Sequence, residues 1–311
     1  MAVTRTSPGN WTGIVSDQYM VGKVPSGGYL TALATKCVVG ELFEASQDPL
    51  PKGSKKRLPN SSHTDVLSVN VHFMASTMPG DFTCIVEILK SGRSISTVQA
   101  SLFQNSKETI RVLCTCGDLI AAEKKGPNLK SLSIECGGTP PDLPPMNQCM
   151  RMDAGDNTPS SVRSRVLCLV PQASAVRYYG SRATNSDGSF DEDALRQRES
   201  AVLNPLADYS GYMMFADGTE PSLDASPVYL DAGIPPILGA YVTGWVPSIN
   251  WTVQTMKHPA AGPLKFRFRT RRVVGGFLEE DGELWDSAGD LIAVSRQLAL
   301  VGVSQASKGK L

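Results

Sequence analysis

The 311-residue sequence contains three histidines, His63, His72 and His258, which lie in separate parts of the chain. Imidazole is used in most protein zinc sites and in most bases that activate a nucleophile. We expect His72, in the middle of a strand-like run, to be structural, and His63 and His258 to lie at the surface. The chain also lacks a His-Glu-x-x-His pattern. These features predict neither a metal site nor a histidine base.

Seven cysteines are present, and the closest pair, Cys114 and Cys116, is separated by one residue. This spacing fits neither a zinc knuckle nor a Cys-x-x-Cys redox pair. We interpret the cysteines as reduced thiols within the core. The sequence has no Gly-x-Ser-x-Gly nucleophile elbow, no P-loop and no dinucleotide-binding glycine pattern. The sequence therefore predicts no redox cofactor.

Three polar residues near the end of the chain are candidates for water-directed chemistry. Gln297 shares one face of a predicted strand with mostly apolar residues, including Leu291 and Ala299, so its amide must find a partner, either a backbone group or a bound water. Asp231 precedes a proline-containing stretch and by itself is typical of a helix N-cap. Ser248 lies on a polar strand face and by itself is typical of a solvated residue. The residues alone leave these alternatives open.

The elements around these candidates follow a repeating order. Apolar residues at helical spacing predict a helix over 28–43, immediately after Ser26-Gly27-Gly28. Strand-like runs bounded by turn residues then predict an antiparallel meander. The predicted strands of this first meander span 66–75, 82–89, 94–104 and 109–116.

A second meander follows later in the chain. Ser68-Val69-Asn70-Val71 and Ser248-Ile249-Asn250-Trp251 lie 180 residues apart, as do Pro79 and Pro259. The order of strands and turns around them also matches, which indicates a duplicated helix-plus-meander fold. The predicted extended runs of the second half span 166–170, 211–216, 228–230, 247–256, 264–270, 273–285 and 290–300.

The duplication predicts an α+β chain with a helix between Asp231 and Val242, whose first turn contains Pro235 and Pro236. The predicted domains are an N-terminal unit over 1–125, a connector over 126–165 and a C-terminal unit over 166–311. A polar insertion is predicted over 177–210.

The net charge and the terminal sequences limit the possible partners and location of the protein. Thirty basic and thirty acidic residues give no net charge, which argues against a general nucleic-acid binder. No signal peptide or span-length apolar stretch is present, so we expect a cytoplasmic protein without a membrane span. The final Gly309-Lys310-Leu311 weakly resembles a peroxisomal address. The basic cluster over 52–57 is either solvated or a phosphate contact, and sheet edges allow a homodimer.

The order of motifs resembles the double-hotdog acyl-CoA thioesterases of the type II and thioesterase-like superfamily. In the first half, the resemblance rests on Trp11, Gly27-Gly28-Tyr29-Leu30, Val71-His72-Phe73, Pro79-Gly80 and Lys90-Ser91-Gly92-Arg93-Ser94. In the second half it rests on "WVPSINWTV" and "FRTRRVVGGFLEEDGELWDSAGDLIAVSRQLALV". The resemblance implies a double hotdog, two tandem sheets that each wrap a helix, with an N-terminal hotdog over 1–125 and a C-terminal hotdog over 166–311. It also implies a small-molecule acyl thioester substrate.

The resemblance also implies the site. The family's Asp, hydroxyl residue and Gln correspond to Asp231, Ser248, which is usually Thr in the family, and Gln297. The implied chemistry has Asp231 as base for a water that Ser248 and Gln297 orient, with coenzyme A present only as part of the substrate. Gly233, or the turn containing Gly27 and Gly28, would allow the acyl carbonyl to approach oxyanion-stabilising amides. The missing nucleophile elbow favours direct attack by water.

Two other functions remain open. The insertion over 177–210 and Asn250-Trp251, where the family usually has Asp-His, fit a dehydratase, isomerase or cyclase acting on a natural-product intermediate. A non-catalytic acyl-binding protein is the third possibility. The acyl group itself is either fatty or polyketide-like.

Overall fold

A computed structural model describes residues 2–49, 59–124, 138–152, 161–171, 207–239 and 246–301. The helices are α1 (Gly27–Gln47), α2 (Leu119–Lys124), α3 (Val162–Arg165) and α4 (Ser226–Ala232). The strands of the first half are β1 (Val3–Ser7), β2 (Asn10–Val15), β3 (Met20–Val21), β4 (Val24–Pro25), β5 (Asp65–Phe73), β6 (Gly80–Ser91), β7 (Ser96–Gln104) and β8 (Lys107–Gly117). The remaining strands are β9 (Cys149–Arg151), β10 (Val166–Pro171), β11 (Ala207–Phe215), β12 (Ser248–Thr255), β13 (Leu264–Thr270), β14 (Val273–Val274), β15 (Phe277–Trp285) and β16 (Leu291–Leu300).

The main sheet is antiparallel and runs β1-β2-β6-β7-β8-β5-β12-β16-β15-β13-β11-β10-β9, with β14 paired to β15. The two meanders join where β5 pairs with β12, and Trp251 lies opposite Val71 in that register. These two residues are equivalent at the 180-residue offset of the sequence repeat. A pseudo-two-fold axis therefore passes beside this pair, and the predicted duplication is confirmed.

Helix α1 is the long helix that the first half of the sheet wraps. Its first half is buried on every side, from Gly28 to Thr35, which is typical of a helix enclosed by other elements. Ser26 caps its start by accepting the Tyr29 amide at 3.3 Å. The predicted helix over 28–43 is confirmed, with one further residue at the start and four at the end.

The second-half helix differs from the prediction. Helix α4 ends at Ala232, so Asp231 lies in its last turn and not at the start of a helix. Pro227 occupies the first turn, where a missing amide hydrogen has no cost, while Pro235 and Pro236 follow the end of the helix. The predicted extended run over 228–230 is also wrong, because these residues are helical and buried.

One histidine prediction is wrong as well. His63 is only 2% exposed, because its two ring nitrogens contact the hydroxyl of Ser96 and the amide of Asn60, each at 2.9 Å. The local sequence is polar, but the loop folds inward onto the start of β7. Of the six cysteines in the described part of the chain, none forms a disulfide and five are buried.

Strand β9 falls inside the predicted connector and extends the sheet by pairing with β10. Other predictions lie outside the described residues. These are the basic cluster over 52–57, most of the insertion over 177–210, residues 240–242 of the predicted second helix and the final tripeptide 309–311.

Candidate active site

A cavity of about 600 Å³ lies where the two halves meet. The start of α1, the end of α4 and the strands β12, β15 and β16 contribute to its wall. The predicted site residues Asp231, Ser248 and Gln297 all line this cavity, together with Gly27 and Gly233. Tertiary structure therefore brings together side chains that are up to 66 positions apart in the sequence of the second half.

Asp231 binds the start of a helix from the other half of the chain. Its Oδ2 accepts the Ser26 hydroxyl at 2.6 Å and the Gly28 amide at 2.9 Å. The first amides of a helix have no partner within the helix, and a carboxylate there also interacts favourably with the helix dipole. Asp231 is thus a cap, as its residue type predicts, but it caps α1 and not a helix that follows it.

The environment of Asp231 makes it a stronger base than an ordinary aspartate. Burial raises the pKa of this carboxyl, and the hydrogen bonds from Gly28 and Ser26 and the charge of Arg163 offset that rise only in part. Because the hydrogen bonds converge on Oδ2, the same carboxylate can cap the helix with one oxygen and accept a proton with the other.

A hydrogen-bonded chain of side chains lies in the wall of the same cavity. The Ser248 hydroxyl donates to Oε1 of Gln297 at 2.9 Å, and Nε2 of Gln297 donates to Oε1 of Glu280 at 3.1 Å. The Gln297 amide is therefore held at both ends. Ser248 is partly buried in this arrangement, and its hydroxyl is bonded to a side chain of the cavity wall.

Sequence reasoning missed Glu280. This glutamate lies on β15 opposite Gln297, lines the cavity and is 6% exposed. Burial, and then the negative charge of Asp231, raises the pKa of Glu280 to about 8, so at neutral pH the carboxyl is mostly protonated. Strand alternation could have found it, because Glu280 shares the inward face of β15 with Leu278 and Leu284.

Gln297 and Glu280 form a polar pair on neighbouring strands, and the equivalent positions of the first half are apolar. In the second half, Gln297 lies opposite Trp251 and Glu280 lies opposite Gln297. In the first half, Val71 is the equivalent of Trp251. Val71 lies opposite Val112, and Val112 lies opposite Ala100. The duplicated fold thus carries a polar site at one position and an apolar pair at its equivalent.

The glycines at the site have different roles. A Cβ on Gly28 would overlap the carbonyl oxygen of Pro227 and lie 2.6 Å from Cβ of Asp231, so glycine is required for the contact between α1 and α4. The Gly28 amide is already bonded to Asp231 and is not a free donor for an oxyanion. Gly27 and Gly233 line the cavity, and their contact with a substrate carbonyl remains a prediction.

Asn250-Trp251, which stands where the family usually has Asp-His, does not form part of the cavity wall. Trp251 is 2% exposed, and Asn250 donates from Nδ2 to the Val71 carbonyl at 2.9 Å across the junction of the halves. Neither residue lines the cavity.

We find no group of His, Cys, Asp and Glu suited to a metal among the described residues. Within the same part of the chain, no helix is long and apolar enough to cross a membrane.

Comparison with known proteins gives a family match in each half. Residues 15–117 match the model of the acyl-CoA thioesterase N-terminal domain, and residues 151–301 match that of the acyl-CoA thioesterase C-terminal domain. No curated protein matched the chain.

Solved structures resemble the chain over nearly its whole length. A candidate thioesterase II from Thermobifida fusca is 23% identical, with a TM-score of 0.73 over 97% of this chain and 95% of that one. A protein with a hot dog fold from Alicyclobacillus acidocaldarius is 16% identical, with a TM-score of 0.67 over 97% and 96%. An acyl-CoA thioesterase II from Mycobacterium marinum is 12% identical, with a TM-score of 0.61 over 98% and 97%. These likenesses show the hotdog fold, and with the duplication they make this chain an α+β double hotdog.

Proposed function

The chain belongs to the acyl-CoA thioesterase family, whose N- and C-terminal domains it carries in order, and on this basis we propose that it hydrolyses an acyl-CoA thioester by direct attack of water. The observation that carries the proposal is the convergence of Asp231, Ser248 and Gln297 on one cavity. A carboxylate, a hydroxyl and an amide can together hold a water and remove its proton.

In the proposed reaction, Asp231 accepts a proton from the water as the water oxygen bonds to the thioester carbonyl carbon. The carbonyl π electrons move to oxygen, which becomes an oxyanion. The oxyanion re-forms the carbonyl as the carbon–sulfur bond breaks, and the thiolate takes the proton from Asp231. The products are a carboxylic acid and free coenzyme A thiol, and Asp231 returns to its ionised state.

Ser248 and Gln297 orient the water in this proposal. Gln297 is fixed at both ends, because its Oε1 accepts from Ser248 and its Nε2 donates to Glu280. A fixed amide orders the water without moving during the reaction, which is the usual source of catalytic advantage from polar groups in a buried site.

The test is release of free thiol from a panel of acyl-CoAs by the purified full chain. We expect turnover with at least one acyl-CoA and a loss of 100-fold or more in kcat for Asp231→Asn, which removes the base and keeps the shape. Asp224→Asn is the matched control, since Asp224 is exposed just before α4. Absence of thiol release from every acyl-CoA, or equal rates in Asp231→Asn and the parent chain, would disprove hydrolysis.

A second candidate is a dehydratase or isomerase on the same fold. It is favoured by the presence of two carboxyls in one cavity, Asp231 and the mostly protonated Glu280, which are suited to remove a proton and return one. Mass spectrometry of the products separates the two. Loss of water with formation of a double bond, or relocation of a double bond, with the thioester intact supports this candidate, and binding without any product supports an acyl-binding protein.

A further inference from the structure

Two buried polar side chains of the cavity wall have an atom without a hydrogen-bond partner. They are the hydroxyl oxygen of Thr77 and Oε2 of Glu280, on residues that are 3% and 6% exposed. Both residues line the cavity that contains Asp231. The Nε of Arg163, a third residue of the same wall, is also unpartnered. Half of the six such atoms in the described part of the chain therefore belong to this one cavity.

Buried polar groups in folded proteins are almost always hydrogen-bonded, so unpartnered ones in a cavity indicate a ligand that supplies the partner. A saturated alkyl chain would leave both groups unpartnered in an apolar environment, which is unfavourable for binding. An acyl chain that carries oxygen would give each group a partner. The polarity of this wall thus distinguishes between two kinds of acyl substrate.

The chemistry of Glu280 defines what the oxygen must do. Oε1 of Glu280 already accepts a hydrogen bond from Gln297, so a proton on this carboxyl is carried by Oε2. Oε2 is then a donor that needs an acceptor, and both hydroxyl and keto oxygens accept. The Thr77 hydroxyl can donate or accept, and so it fits either group.

The register of the sheet places that oxygen close to the reacting carbonyl. Glu280 lies directly opposite Gln297 on the neighbouring strand, and Gln297 is one of the residues proposed to orient the water. A substrate group that reaches Glu280 is therefore within the first few carbons of the acyl chain.

We propose that this protein acts on acyl thioesters that carry a hydroxyl or keto oxygen near the thioester, and that Glu280 binds this oxygen and selects against plain alkyl chains. The inference rests on the proposed function, because it assigns the substrate class of that same cavity. It makes Glu280 a specificity residue, and Thr77 contributes a further polar group to the same wall.

The experiment compares matched eight-carbon probes: octanoyl-CoA, 3-hydroxyoctanoyl-CoA and 3-oxooctanoyl-CoA. We expect kcat/KM to be about tenfold or more higher for at least one oxygenated probe, the discrimination expected when a buried polar group is left unpaired. Glu280→Leu should reduce that ratio severalfold. The matched control is Glu279→Leu, which alters a partly exposed residue of β15.

Two results would overturn the inference: hydrolysis of octanoyl-CoA as fast as both oxygenated probes, or a ratio that does not change in Glu280→Leu. If no probe releases thiol, the proposed function fails and the inference is decided by binding. Calorimetry with octanoic and 3-hydroxyoctanoic acid then measures the same preference without turnover. Tighter binding of the hydroxy acid that is lost in Glu280→Leu supports the inference, and equal binding disproves it.

Discussion

The carboxylate of Asp231 accepts the backbone amide of Gly28 at 2.9 Å, across 203 residues of sequence. This bond joins the last turn of α4 to the first turn of α1, and the Ser26 hydroxyl adds a second bond to the same oxygen. The residue proposed as the catalytic base therefore also holds together the two helices that form one wall of the site.

Asp231 should show separate effects on activity and stability. Asp231→Asn keeps an oxygen that can accept the Gly28 amide, so it should abolish turnover with a small loss of stability. Asp231→Ala removes the cap as well, and should lower the free energy of unfolding by about 1–2 kcal/mol more. Urea unfolding of both variants measures this difference. Equal stability of the two would show that the cap contributes nothing.

Gly28→Ala should disrupt the contact between α1 and α4. The added methyl group would overlap the Pro227 carbonyl oxygen, which is rigid backbone, so α4 must shift. We expect a loss of roughly 2 kcal/mol or more in stability, within the range for overpacked sites, and lower kcat because Asp231 moves. Gly218→Ala is a useful control, since it adds only the strain of a positive φ of 76° in an open turn. A smaller loss at Gly28 than at Gly218 would contradict the argument.

The Ser248 hydroxyl should matter more than the size of the side chain. Ser248→Ala removes the donor to Gln297, and we expect kcat to fall about tenfold with little change in KM. Ser248→Thr keeps the oxygen and should retain most activity. Thr252→Val on the same strand removes a hydrogen bond to Asn70 outside the cavity and serves as the control. Loss of activity in the Thr252 variant would point to a general effect of the strand.

The pH dependence of hydrolysis should have two limbs. On the acid side, the rate falls as Asp231 is protonated, and because burial raises its pKa this limb lies above the ordinary aspartate range. On the alkaline side, Glu280 ionises near its pKa of about 8 and places a second negative charge beside the developing oxyanion. Arg163 is the basic residue among those that line the cavity with Asp231 and Glu280. Glu280→Gln should remove the alkaline limb alone in profiles of kcat/KM, and its persistence there would exclude Glu280 as the cause.

Glu280 should also make the fold less stable as pH rises. The folded carboxyl keeps its proton to about pH 8, while the unfolded one releases it near 4.5, so the folded state binds more protons between these values. The free energy of unfolding then falls with pH by at most about 1.4 kcal/mol per unit in this window. The stability gained by Glu280→Gln should thus grow by about 4 kcal/mol from pH 4.5 to 8 in denaturant titrations. Glu279→Gln, on the same strand as Glu280, alters a partly exposed ion pair with Arg271 and is the matched control.

The sequence determined the α+β fold, the duplication and most strands, because helical and alternating apolar patterns are local and the strands of a meander pair with near neighbours. Resemblance to the family selected Asp231, Ser248 and Gln297, and the structure places all three on one cavity. Local patterns could not show that Asp231 caps α1, since that contact depends on packing two helices from different halves.

The tertiary structure alone decided the character of Glu280. On the inward face of β15 its carboxyl is removed from water and lies near Asp231, so its proton is retained at a pH where an exposed glutamate is ionised. The sequence specifies that Glu280 shares one face of its strand with Leu278 and Leu284, but the desolvation and the neighbouring charge arise only when β15, β16 and α4 come together.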